Sequence, residues 1–353
     1  MSYQSSDTEL PETNGIEILT RSKSGFENFM LQCLKAPEPQ LRRWLHKVLI
    51  RAGFEIFEDG YESDRCSKDP RYKTVHNMLA IRGNKPNICL VAHTDVCRDH
   101  EALRESRFGS GGEYSHYMGG RHEEKGEAGK PPNVVVEPVV KIWNDDNGAH
   151  RIIQDRNCKI QVGGDDRLGV AINTYIALNS GLDMGLLFVT DEEIGLKSAR
   201  VCDFPQFKDF DLVAQVDRGN NSNEVVIKIS GDILCSYDTA AKLLEIAYDI
   251  GLPRRPVTGA HTDVYAIHSQ GRIKDCINMT CGYHNSRGSD PTEYIDVQEA
   301  KDTLRYVSEI VKHYNLKNLV PALEAGTTEE EVVEEIVAED IIEEEVGISH
   351  GDA

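Results

Sequence analysis

The chain has 353 residues, of which 39% are hydrophobic and 28% charged, with a formal net charge of −20. These proportions support a packed core in one large or two ordinary domains and exclude a disordered chain or a coiled coil. They also offer no basic surface for nucleic acid or anionic lipid, and apolar runs such as Ile88–Ala92 fall far short of the ~20 residues a membrane span requires.

The charge is uneven. Residues 320–353 carry twelve acidic side chains and no Lys or Arg, so the body accounts for only −8. The segment 1–24 reads as a polar leader without the basic-then-apolar pattern of a signal peptide, and a cytoplasmic location is expected. Nine cysteines, an odd number with no C-x-x-C pair, point to reduced thiols.

In chain order, Phe26–Lys35 and Gln40–Ala52 have apolar residues at helical spacing, separated by Pro37 and Pro39. Phe54–Phe57 and Met78–Ile81 are strand candidates. Asn87–Ala92 is apolar without alternation, as in a central strand covered on both faces. Residues 98–132 form a loop excursion rich in Gly, His and charge, a length that usually serves function. Val134–Val140, Lys141–Trp143 and Ile152–Gln154 suggest a hairpin. From Asp165 onward, helices (Arg167–Asn179, Leu196–Cys202, Tyr237–Ile250, Val297–Tyr314) alternate with strands (Gly185–Thr190, Asp211–Val216, Glu224–Ser230, Ile277–Cys281). This rhythm predicts a three-layer α/β/α domain over 25–319 with a mostly parallel, mixed central sheet and helices on both faces. Such sheets carry their sites at the C-terminal ends of strands. In the acidic tail, residues from Val332 to Glu345 follow an amphipathic helical pattern that would dock on the body or on a partner, or remain solvated.

Five clusters of metal-ligand residue types fall beside strands. His93-Thr-Asp95 ends the Asn87–Ala92 run, where Asp95 can accept the second imidazole N–H of a ligating His93. Asp165-Asp166 follows two glycines and opens a helix. One carboxylate there can bridge two cations, although acids also suit a helix N-terminus without any metal. Asp191-Glu192-Glu193 crowds three acids after a strand, a costly arrangement unless cations neutralise them. One of the two glutamates can ligate while the other serves as general base. Asp217 follows another strand, and His284 follows Cys281-Gly-Tyr. Together, His93, Asp165, Glu193, Asp217 and His284 supply two imidazoles and three carboxylates, an inventory for two zinc-like sites with a shared carboxylate. Cys97, two residues beyond Asp95, reads as a small buried filler. A second H-T-D, His261-Thr-Asp263, lacks a preceding apolar strand. A turn histidine with a capping aspartate accounts for this pattern, and His261 and Asp263 are equally candidates for substrate contacts at the rim of the site. No nucleophile elbow, phosphate loop or H-E-x-x-H is present.

The ordered motifs H-T-D, D-D-R-x-G, D-E-E-x-G, V-D and Y-H resemble those of the clan of co-catalytic metallopeptidases that includes peptidase T, carboxypeptidase G-type enzymes and the glutamyl aminopeptidases. The resemblance covers roughly residues 26–315. It implies that His93 and Asp217 bind one metal, Glu193 and His284 the other, and that Asp165 bridges them. It further implies that Asp95 orients His93 and that Glu192 takes a proton from the metal-bridging water and passes it to the leaving amine. The interval of 67 residues between Asp217 and His284 leaves no room for the separate lid domain of many relatives, so a lidless form is expected. The implied activity is a di-zinc exopeptidase on short peptides, with Co2+ or Mn2+ fitting the same ligands. An aminopeptidase is expected first, and a deacylase of N-acyl amino acids would use the same machinery. A non-catalytic metal-binding scaffold acting through the acidic tail is the reading from another class.

Overall fold

The computed structural model describes residues 25–67, 72–73, 75–97, 136–145, 148–220, 223–286 and 290–324. The leader, the 98–132 excursion and the amphipathic pattern of the tail lie outside the described residues.

The chain opens with two helices, α1 (Gly25–Lys35) and α2 (Glu38–Arg51). Pro39 sits in the first turn of α2 instead of acting as a breaker. The first-turn N–H groups have no intrahelical acceptor, so a proline costs nothing there. The strands β1 (Glu55–Glu58), β2 (Met78–Arg82) and β3 (Ile88–His93) follow. The hairpin β4 (Pro138–Asp145) and β5 (Gly148–Asp155) precedes α3 (Gly164–Asn179) and β6 (Met184–Val189). Next come β7 (Leu212–Arg218), β8 (Glu224–Ile229), β9 (Asp232–Ile233), α4 (Tyr237–Asp249), β10 (Arg255–Gly259) and α5 (Asp263–His268). The chain closes with β11 (Cys276–Thr280), β12 (Tyr283–His284), β13 (Tyr294–Asp296) and α6 (Val297–Glu324). Among the described residues no helix is long and apolar enough to cross a membrane, and all nine cysteines are free.

The main sheet runs β1-β2-β6-β3-β7-β11-β8-β10, with β9 paired to β8. Its centre, β6-β3-β7-β11, is parallel, while β2 and β8 pair antiparallel on either side. This is the predicted mixed, mostly parallel α/β sheet. All six residues of β3 are buried. Ile88, Leu90 and Ala92 join the core beneath α1, α2, α3, α4 and α6, while Cys89 and Val91 face a second core with Phe204, Phe207, Val264 and Ile267. A strand with apolar partners on both faces has no reason to alternate, which explains its unbroken hydrophobic run.

The second face is covered less regularly than predicted. Leu196–Cys202 forms a series of turns instead of a helix. Gly195 and Leu196 have φ of +103° and +57°, a left-handed backbone that interrupts a right-handed helix. The other departures concern pairing. The predicted hairpin β4–β5 is joined by β13 and β12 into a separate antiparallel sheet ordered β12-β13-β5-β4. The last helix also runs ten residues beyond Tyr314, into the start of the acidic segment.

Candidate metal centre

Strands β6, β3 and β7 are neighbours, run parallel and end at the same edge of the sheet. This is the crevice at which parallel α/β sheets place their sites. His93 is the last residue of β3 and pairs in register with Val189 of β6. Glu192 therefore emerges three residues later beside it, and Asp217 comes from β7 on the other side. Asp165 enters from above, at the start of α3, before the helix becomes regular.

The side chains of His93, Asp165 and Asp217 converge, with one ligand atom from each lying within 4.8 Å of the others. His93 Nε2 is 3.1 Å from Asp165 Oδ1, 3.7 Å from Asp217 Oδ1 and 3.9 Å from Glu192 Oε2. One buried imidazole and two carboxylates at this spacing fit a divalent cation of the zinc type. The same nitrogen is within 3.9 Å of the candidate base.

The partners behind the ligands are more numerous than the sequence indicates. His93 Nδ1 lies 3.0 Å from the backbone carbonyl of Asp95 and 3.6 Å from its carboxylate. The carboxylate of Asp95 is instead occupied by the backbone N–H groups of Glu192 at 3.2 Å and Glu193 at 3.3 Å. Asp95 thus holds the acidic turn, and its carbonyl, rather than its side chain, is the nearer partner of His93. Asp166, buried next to Asp165, accepts from the His93 N–H at 3.1 Å and from the Gly169 N–H at 3.0 Å. Gly169 allows this approach, because a Cβ there would meet Val216 O and Asp166 Oδ1 at 2.3 Å. Glu293, also buried, accepts from Gly163 N at 2.5 Å and Asp165 N at 3.1 Å. Tyr283 of the second sheet donates to Asp217 Oδ1 at 3.0 Å. No spacing signal marks Glu293, because the Gly163 and Asp165 N–H groups it accepts from come from a distant part of the chain.

Glu193 and His284 have further partners of their own. The Glu193 carboxylate accepts from Cys97 N at 3.1 Å and lies 2.8 Å from Cys97 Sγ, so the buried Cys97 is a direct neighbour of a candidate ligand. His284 pairs through Nε2 with Glu299 Oε2 at 2.8 Å and stacks on Tyr294 with ring centroids 4.9 Å apart. The structure therefore gathers His93, Asp165, Asp217 and Glu192, and places His284 against the last helix.

The second H-T-D divides in the same way. His261 is exposed, packs edge-on to Tyr265 and, with Arg200 and Gln270, lines a cavity of about 420 Å3. Asp263 is buried and faces inward. Gln215 Nε2 donates to Asp263 Oδ2 at 2.8 Å and to Asp217 Oδ2 at 3.0 Å, which places Asp263 behind a candidate ligand. Asp263 Oδ1 has no hydrogen-bond partner among the described residues.

Crowding acids in a buried space raises their pKa values. Burial pushes Asp217 up to about 6, with Asp165 adding and His93 opposing. Burial likewise takes Asp263 to about 8, against the pull of His93. Glu192 rises well above the carboxylate range through burial, with His93 opposing and Asp263, Asp217 and Glu193 adding. Glu193 rises for the same first cause, with Asp165 adding. For His93, burial pulls downward but Asp217, Asp165 and Asp95 outweigh it, leaving the imidazole well above its ordinary value.

The consequence for stability has a definite sign. A carboxyl raised in the folded state contributes stability that is fully present below the unfolded value of about 4 and lost as the pH rises through the folded one. The metal-free protein is therefore expected to lose thermal stability between about pH 4 and 8, in a window set by Asp217 at about 6 and Asp263 at about 8. Zn2+ should restore it most strongly at the upper end, because a cation bound only by the folded site adds its binding free energy and favours the ionised acids. Melting curves of chelated and Zn2+-treated protein from pH 5 to 9 check this. A metal-free melting temperature that stays level across the window would contradict it.

No protein-family model matches the chain, and no curated protein matches it in sequence. Solved structures match its fold. Aminopeptidase PepT from Bacillus cereus superposes with a TM-score of 0.55 at 12% identity, covering 82% of this chain and 98% of that one. A TET aminopeptidase from a marine-sediment thaumarchaeon gives 0.53 at 14% identity over 84% and 99%. Aminopeptidase APDkam598 from Desulfurococcus kamchatkensis gives 0.53 at 12% over 82% and 95%. The chain is thus similar in fold to these three aminopeptidases along most of its length.

Proposed function

We propose that the chain is a metal-dependent exopeptidase, an aminopeptidase acting on short peptides, with Glu192 as its general base. The observation that carries this reading is the convergence of His93, Asp165 and Asp217 at the ends of β3 and β7 and the start of α3, with Glu192 3.9 Å from the same imidazole nitrogen. The aminopeptidases that share its fold support the same reading.

His93, Asp165 and Asp217 would hold one cation, with Glu193 and His284 the candidates for a second. A bound zinc-type ion would supply a Lewis acid that polarises the scissile carbonyl and acidifies water. The remaining work falls to side chains. Glu192 takes a proton at its carboxylate and delivers it to the departing amine. Asp95 fixes the Glu192–Glu193 backbone. Asp166 ties the end of β3 to the start of α3. Tyr283 and Gln215 fix the two oxygens of Asp217.

The test is metal content together with turnover on two substrate sets, di- and tripeptides with free amino termini and N-acyl amino acids. We expect cleavage of the free peptides, loss of activity on chelation, and recovery with Zn2+, Co2+ or Mn2+. Two ions per chain would bring Glu193 and His284 into the ligand set, and one would restrict it to the His93 group. Turnover of N-acyl substrates alone would make the protein a deacylase. Absence of both metal binding and turnover after reconstitution would end the enzyme reading. Removal of residues 325–353 should leave peptidase turnover intact.

A further inference from the structure

The acidic run at the end of β6 gives chemistry to Glu192 and Glu193 but none to Asp191. Asp191 is fully buried and held from the side of the 61–65 segment. Tyr61 Oη donates to its Oδ2 at 2.8 Å, Ser63 Oγ donates to its Oδ1 at 3.0 Å, and Arg65 Nη2 lies 2.8 Å from Oδ1. Three donors on one carboxylate from a single short segment make a specific grip. The same guanidinium reaches Glu38 Oε2 at 2.5 Å and Thr190 Oγ1 at 2.6 Å, so the grip is anchored to α2 and to the residue before Asp191.

The backbone of Asp191 lies in the left-handed region, with φ of +55°. Non-glycine residues are uncommon there, Asp less so than most, and the surroundings contribute to holding it. Here the holding is on two sides. The 61–65 segment takes the Asp191 carboxylate, and Asp95 takes the two N–H groups that follow. The direction in which Glu192 and Glu193 leave the strand is set between these two anchors.

We propose that Asp191, gripped by Tyr61, Ser63 and Arg65, is a positioning residue that aims the Glu192 and Glu193 carboxylates at the metal site. The inference rests on the metallopeptidase reading of that site. The partners that hold the Asp191 carboxylate come from the 61–65 segment, so it acts through the turn that leads to Glu192 and Glu193.

The test compares wild type, Asp191→Asn and Tyr61→Phe, with Glu192→Gln alongside. Co2+ is titrated into metal-free protein and followed by its visible absorption, then kcat and KM are measured at saturating metal. Tyr61→Phe removes one hydroxyl from a half-buried position and leaves every buried charge paired, so it keeps the test open if Asp191→Asn fails to fold. We expect Co2+ affinity and kcat to fall about tenfold in Tyr61→Phe and further in Asp191→Asn, with KM changed by no more than about twofold, the scale of one hydrogen bond to a charged group. Wild-type Co2+ affinity and kcat in both variants would overturn the proposal, as would a lower melting temperature with both values unchanged. Full turnover by Glu192→Gln would instead remove the base assignment, and the Co2+ titrations alone would then decide whether Asp191 positions the turn.

Discussion

Glu192→Gln is expected to lower kcat by on the order of 10^2–10^4-fold, the range that a positioned general acid–base supplies, while metal content stays at the wild-type value. The amide has nearly the same shape but cannot accept and return a proton. The Glu192 N–H bond to Asp95 belongs to the backbone and survives the change. The candidate ligands His93, Asp165 and Asp217 are untouched, so metal retention separates loss of chemistry from loss of the site. A variant that turns over at the wild-type rate would remove Glu192 from its role. A variant that loses both metal and turnover would make Glu192 a ligand.

Arg65→Met is expected to cost about 3–5 kcal/mol, the scale for breaking a buried ion pair by removing one partner. Arg65, Arg42, Glu38 and Asp191 are all essentially buried, two cations matched to two carboxylates. Without Arg65, Glu38 and Asp191 lose their shared partner at 2.5 and 2.8 Å and are left as buried charges in a low-dielectric interior. For a chain of this size the melting temperature should fall by roughly 4–8 °C. Adding Glu38→Gln should recover part of the loss, because it removes one of the stranded charges. That non-additivity is the mark of a direct interaction. A melting temperature within about 1 °C of wild type in Arg65→Met would show that water or local relaxation replaces the pair at little cost.

The network explains why part of the site is visible in the residue order and part is not. His93, Asp217 and the acidic run could be picked out because each follows a buried strand, and a polar residue at the mouth of an apolar run is conspicuous. The structure brings ligand atoms of His93, Asp165 and Asp217 within 4.8 Å of one another. It treats His284 differently. A strand end before a histidine does not specify where the imidazole points, and here the short β12 joins the second sheet, where Glu299 and Tyr294 take the ring. Asp263 likewise looked like a rim residue by its neighbours His261 and Thr262, yet it opens α5 with its carboxylate turned inward onto Gln215.

What the sequence determined by itself is local. The unbroken apolar runs of β3 and β6, the helical spacing of α1 through α4 and the alternation of elements are set by short-range sterics and by which faces must leave water. These dictate a mostly parallel sheet and the edge at which its chemistry collects. The tertiary structure alone decided which distant groups share a buried space. Glu38, Arg65 and Asp191 are separated by 27 and 126 residues, and Asp166, Glu293 and Gln215 are equally scattered. Nothing in their own segments names the partner each will take, because the need for a partner arises only once packing has removed water from each. The joining of β4–β5 with β12–β13 was decided in the same way, since the β13–β5 pairing across 142 and 144 residues depends on where the main sheet leaves the two hairpin edges.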